Sequence, residues 1–136
     1  MRLKLLSKRI VIAGTLLIWT IKFLVRPMNM FDSTTTYFLG ISPNLFGSFL
    51  IPFGAYWFFS GRRFLIARIF RIQSDYDLRT VCLLGFALLI VNEYLQLIPV
   101  FGRTFDVNDI LFSSIGLIAA YFTFSRVQEK FAVQAV

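Results

Sequence analysis

A chain of 136 residues that is 57% hydrophobic and 15% charged, with a mean hydropathy of +0.73, is far more apolar than a soluble domain, of which about a quarter is charged. That length holds one compact domain of a few helices and excludes an added water-soluble catalytic domain. The net charge of +7 falls in bursts that flank apolar runs, which argues against nucleic acid as a partner; the absence of histidine removes the usual zinc sites and imidazole chemistry, and Cys82 alone frames no disulfide.

The first expected membrane span covers about residues 10–25, after the basic head Arg2, Lys4, Lys8 and Arg9, with Lys22 near enough to its far end to reach the headgroups. It resembles a signal peptide, but Arg26, Pro27, Met28 and Asn29 follow it in place of a small-x-small cleavage site, so it reads as a retained helix. The second span covers about 44–59, entered by Ser42 and Pro43 and stopped by Ser60, Gly61 and Arg62. Pro52 inside it removes a backbone hydrogen bond and predicts a kink. The third covers about 80–98, closed by Pro99, and the fourth about 107–124, followed by a polar tail. The expected architecture is an all-α integral membrane four-helix bundle forming a single domain over 1–136.

Lysine and arginine set the orientation. The head carries four, the link from Gly61 to Arg79 carries Arg62, Arg63, Arg68, Arg71 and Arg79, and the tail carries Arg126 and Lys130, whereas the opposite side shows Arg26 and Arg103. This places both termini in the cytoplasm. Tyr56, Trp57 and Tyr121 then fall near the inner interface and Tyr37, Tyr94, Phe101 and Phe105 near the outer one. Within the link, Phe64 to Phe70 mixes cations with bulky apolar residues. It reads as a basic anchor, or as a short helix lying in the headgroup layer.

This topology gathers polar residues at the outer leaflet. Glu93 lies about five residues, or roughly 7 Å at 1.5 Å per residue, below the end of the third span, with Gln96 on the same face. Asp106 and Asp109 open the fourth span, Arg103 precedes them, and Asn44 opens the second. A charge at the bilayer centre costs roughly 2.5–3.5 kcal/mol on insertion scales, so such groups sit at an interface or in a paired cluster. Along the fourth span Asp109, Ser113, Gly116, Ala120 and Thr123 share one face, polar at the top and small below, which suits close helix packing in lipid.

Each member also has a plain structural role open to it. Asp106 and Asp109 fit the N-cap and N3 positions of the fourth helix, Arg103 fits a counter-ion or headgroup anchor, and Gln96 fits a bridge between helices. Glu93 is hardest to explain this way, because a loop holds a carboxylate more cheaply than a helix turn inside the bilayer.

The set Glu93 and Gln96, Gly102-Arg103 with Asp106 and Asp109 at steps of three, and Gly116 resembles the signature of the VanZ-like family of small bacterial membrane proteins. Phe53-Gly54 after Pro52 resembles that family's proline-glycine segment. Ser113 stands where the family usually has Asn, Ala120 where a second Gly is common, and Asn44 two residues too far from Pro52. The resemblance implies a multi-pass protein of the bacterial cytoplasmic (inner) membrane, linked in some members to lower susceptibility to lipoglycopeptides such as teicoplanin. It implies no particular reaction.

The leading expectation is a site that binds or processes the headgroup of an envelope lipid or lipid-linked precursor. Arg103 would grip a phosphate or carboxylate, with Asn44, Gln96, Asp106 and Ser113 as further ligand contacts; Glu93 and Asp109 would take an amine, a hydroxyl or a divalent cation. No organic cofactor and no protein-built metal site is expected. With no nucleophile or metal motif, binding ranks above catalysis; were the site catalytic, Glu93 is the acid/base, with Asp109 beside it. The alternative is a non-catalytic accessory subunit of a larger membrane complex. A proton path is disfavoured, since only Thr, Ser, Cys and Gly lie below Glu93.

Overall fold

The computed structural model describes residues 2–98 and 105–133, and every regular element among them is helical. Helix α1, Arg2–Thr20, runs on through a π-helical turn, Ile21–Val25, and a 3-10 turn, Arg26–Met28, and is closed by Asn29 in the left-handed region at φ 48°. Asp32 caps α2, Ser33–Phe49, accepting the Thr35 N–H at 3.4 Å. Hydrogen bonding from Thr35 also holds the exposed Asp32 carboxyl below its ordinary value of 3.8.

The helix breaks at Leu50 and resumes as α3, Ile51–Phe59, with Pro52 in its first turn. Proline has no N–H to continue the ladder, and the helix is interrupted two residues ahead of Pro52, where a kink is expected. Ser60 and Gly61, at φ +80°, end α3. A short α4, Leu65–Phe70, leads to α5, Asp75–Leu95, opened by a capping box in which Ser74 and Asp77 satisfy each other's backbone N–H groups. Finally α6, Val107–Val133, runs the length of the molecule.

Four continuous helical segments, Arg2–Met28, Ser33–Phe59, Asp75–Leu95 and Val107–Val133, are long and apolar enough to cross a bilayer. At 1.5 Å per residue they reach about 31–40 Å, against a hydrocarbon core of about 30 Å. They outrun the apolar stretches. The second begins at Ser33, so Ser42 and Pro43 lie inside it and Asn44 is more than two turns from its start. The third begins at Asp75 and yields to turns after Leu95, and the fourth continues to Val133. In each case capping or helix-favouring polar residues carry the backbone past the hydrocarbon limit, which hydropathy alone does not register.

Three glycines from three helices converge on the break in the second. A Cβ on Gly14 of α1 would stand 2.7 Å from Leu50, one on Gly85 of α5 would stand 2.8 Å from Ile51, and one on Gly116 of α6 would strike the Leu45 carbonyl and Ser48 Oγ. The α2–α3 segment is therefore the axis of the bundle, approached closely by every other long helix. Below the break the core is built on Phe53 and Phe124, both fully buried, whose rings meet edge to face at 5.2 Å, with Leu78, Val81, Ala55 and Ile72 around them. Leucines and phenylalanines on the outer faces, such as Leu16, Leu83 and Phe122, are exposed, as lipid-facing surface must be.

The start of α1 and the end of α6 lie at the same end of the bundle. There Lys4 Nζ donates to the Ser60 carbonyl at 2.9 Å, and Tyr121 donates to Asp75 Oδ1 at 2.9 Å while accepting from Arg79 Nε at 3.2 Å. At this end too α4 packs Ala67 inward and turns Leu65, Ile66 and Ile69 outward, so the segment Phe64 to Phe70 takes the helical form that is the alternative to a plain basic anchor.

Candidate functional site

The opposite end holds the acidic cluster. Glu93 projects from the last full turn of α5 and is 6% exposed, the most deeply withdrawn charged side chain among the described residues. Its Oε1 accepts from Gln96 Nε2 at 2.9 Å, the contact expected from their spacing, while Gln96 itself caps α5 and donates its backbone N–H to the Glu93 carbonyl at 3.1 Å. Oε2 is buried and has no hydrogen-bond partner among the described residues. Such an atom is expensive inside a membrane protein unless something satisfies it.

Asp106 takes the capping role. It accepts the Asn108 N–H at 2.8 Å, and its carbonyl accepts the Asp109 N–H at 3.1 Å, so its side chain is spent on the start of α6 while its own backbone N–H faces Glu93. Asp109, half-buried in the first turn of α6, faces Glu93 from the neighbouring helix, and the Asn44 amide of α2 is placed to hydrogen bond to it. The tilted rings of Tyr94 and Phe105, 5.4 Å between centroids, hold the end of α5 against the entry to α6.

One turn below Asp109, Ser113 is 4% exposed, and Gly116 and Ala120 continue the buried face. Thr123, expected on the same face, is exposed and donates its hydroxyl back to the Ala119 carbonyl at 2.7 Å; Phe124, four residues past Ala120, occupies the face in its place. At 3.6 residues per turn Thr123 and Phe124 lie about equally far to either side of the stripe through Asp109, Ser113, Gly116 and Ala120, and the larger apolar side chain is the one that is buried.

Arg26 joins the cluster from the end of the first membrane helix. Its guanidinium passes over Gly40 of α2, 3.8 Å from where a Cβ would stand, and lies within electrostatic reach of Asp109 without forming an ion pair with it. In the sequence Arg26 figures in the charge count of the outer segments and in the missing cleavage site, not as a member of the cluster. The missed signal is the pairing of Gly40 with Asn44 one turn on, a bare strip of α2 that admits a long side chain beside an amide. Arg103, expected as the principal cation, lies outside the described residues, as do Pro99 and Phe101.

Glu93, Gln96, Asn44, Asp106, Asp109 and Arg26 thus meet from four helices, with Ser113 beneath them. The described part of the site carries more negative than positive charge. Among the described residues no group of three carboxylate, thiol or imidazole side chains is placed to hold a metal ion. The arrangement can accept hydrogen bonds from an amine or hydroxyl at Glu93 and Asp109 and offer the Arg26 guanidinium to an adjacent anion.

Compared with known proteins, residues 22–128 match the family described as VanZ/LLP1. That span reaches from the end of the first membrane helix to the last turns of α6 and includes every residue of the cluster. No curated protein and no solved structure matches the chain.

Proposed function

This chain belongs to the VanZ/LLP1 family, and from that premise we propose that its acidic cluster binds or processes the polar head of an envelope lipid or lipid-linked precursor. The observation that supports this most is the buried Glu93 carboxylate, with one oxygen engaged by Gln96 and the other unpartnered among the described residues. An amine or hydroxyl of the ligand supplies the missing donor, and Asp109, positioned by Asn44, supplies a second acceptor. Arg26, together with Arg103, draws the phosphate or carboxylate that such headgroups carry.

The excess of lysine and arginine at the termini end supports a cytoplasmic placement of both termini and an outer-leaflet placement of the cluster, in the inner membrane of a bacterium. An amphiphile there reaches Glu93 without leaving the bilayer. If turnover occurs, Glu93 is the acid/base, being the carboxylate that closing the site would shield from water most completely.

The experiment is Glu93→Gln in cells, with envelope-lipid composition and teicoplanin susceptibility followed at matched expression. Altered lipid composition or susceptibility supports the reading; wild-type behaviour in both removes it. Stoichiometric copurification with a larger membrane complex, together with an inert Glu93→Gln, would favour the accessory-subunit reading instead.

A further inference from the structure

A polar cavity lies at the other end of the bundle, about 19 residues or roughly 28 Å along α6 from the acidic cluster. It has a volume of about 620 Å³, within the roughly 300–1,000 Å³ range of small-molecule pockets. Its walls come from the first turn of α1, the α3–α4 and α4–α5 links and the last turns of α6. Arg2 and Arg71 supply two cations, Gln73 and Gln128 supply amides, and among the described residues no carboxylate lines it. Leu3, Ile72 and Phe131 make the rest of the wall apolar. Asp77 is the nearest counter-charge to Arg71, but its carboxylate is already engaged by the backbone N–H groups of Gln73 and Ser74 at 2.9 and 3.0 Å.

We propose that this cavity is an anion site that receives a phosphate-bearing ligand, held by Arg2 and Arg71 and flanked by Gln73 and Gln128. Two guanidinium groups and two amides lining one space match the oxygens of a phosphate. The half-apolar wall takes whatever hydrocarbon adjoins it. The setting favours a lipid headgroup as the source of that phosphate. Arg71 is the residue that ends α4, and α4 exposes Leu65, Ile66 and Ile69 beside Arg62, Arg63 and Arg68, the composition of a segment seated in the headgroup layer. The cavity therefore lies beside a segment suited to the headgroup layer, where phospholipid phosphates are concentrated. The inference does not depend on what the acidic cluster binds, nor on which face of the membrane either end occupies.

Native mass spectrometry of the full chain in detergent tests this, with phosphatidylglycerol, phosphatidylcholine or inorganic phosphate added. One phosphatidylglycerol per protein is expected, weakened about tenfold or more in Arg2→Gln/Arg71→Gln, since each substitution removes charge-assisted hydrogen bonds to the phosphate. Arg62→Gln/Arg63→Gln, outside the cavity, should bind within about twofold of wild type. Arg71→Lys keeps the charge and should retain part of the binding, so a loss confined to the neutral variants is not a folding failure. Competition by millimolar inorganic phosphate, lost in the same variants, would also support the site and mark its ligand as a soluble phosphate. Binding by neither source, or equal weakening in both double variants, overturns the proposal.

Discussion

Gly116 and Leu45 approach so closely that the missing side chain of one is occupied by the backbone carbonyl of the other. The contact fixes α6 against α2 directly beneath the acidic cluster, and Ser48 Oγ, bonded to that same carbonyl at 2.9 Å, fills the remaining space. A carbonyl in a helix cannot rotate away. Gly116→Ala should therefore cost about 1–3 kcal/mol or more by overpacking, read as a lower melting temperature in detergent. Adding Ser48→Ala should not restore it, because the Leu45 carbonyl remains.

Gln96→Leu should be more damaging to stability than Glu93→Gln. Removing the amide takes away the side-chain donor to a buried carboxylate and leaves only the Asp106 backbone N–H facing it, at a cost of roughly 1–3 kcal/mol. Replacing the carboxylate by an amide removes the charge and keeps the shape. Equal melting temperatures for the two variants would contradict the geometry at Glu93.

Arg26 and Asp109 should behave as a coupled pair in any functional readout. Each of Arg26→Gln and Asp109→Asn is expected to impair the function, and the double variant to lose less than the sum. Purely additive losses would mean that Arg26 acts only as a topological charge.

Phe124→Ala should be the most destabilising change in the termini half, about 3–5 kcal/mol, since it empties the space between Phe53 and Tyr56. Arg79→Ala, which breaks an exposed ion pair to Asp75 at 2.8 Å, should change stability by less than about 1 kcal/mol. Thermal melts of the two proteins side by side check the contrast.

The first turn of α2 should be pH-sensitive. Asp32 titrates below 3.8 when folded because Thr35 hydrogen bonds to its charged form, so its capping contribution is complete above 3.8 and is lost as pH falls through the folded value. The amide NMR signals of Thr35 and Thr36 should shift together in that acid range, and Asp32→Asn should abolish the shift while keeping the cap.

Much of this arrangement can be read from the residues. Four apolar runs give four helices, the three-residue spacing of Glu93 and Gln96 gives their hydrogen bond, and the position of Asp106 ahead of Val107 gives the cap. The extensions to Ser33 and Asp75 were written in the sequence as Asp32 with Thr35 and Ser74 with Asp77, but capping signals carry about a kcal/mol and are drowned by hydropathy in a membrane chain. Arg26 was hidden for a different reason. It lies 83 positions before Asp109, and only the packing of the first two helices brings it there.

The meeting of Gly14, Gly85 and Gly116 on seven residues of the second helix gives the bundle a keel. Each remaining helix is keyed to it separately, so none can slide along the membrane normal without driving a backbone into a side chain or a carbonyl. When the surrounding bilayer thickens or thins, the protein must answer by leaning as one body, at a modest cost per ångström of mismatch. Glu93 then keeps its depth relative to Asn44 and Asp109 in membranes of different composition.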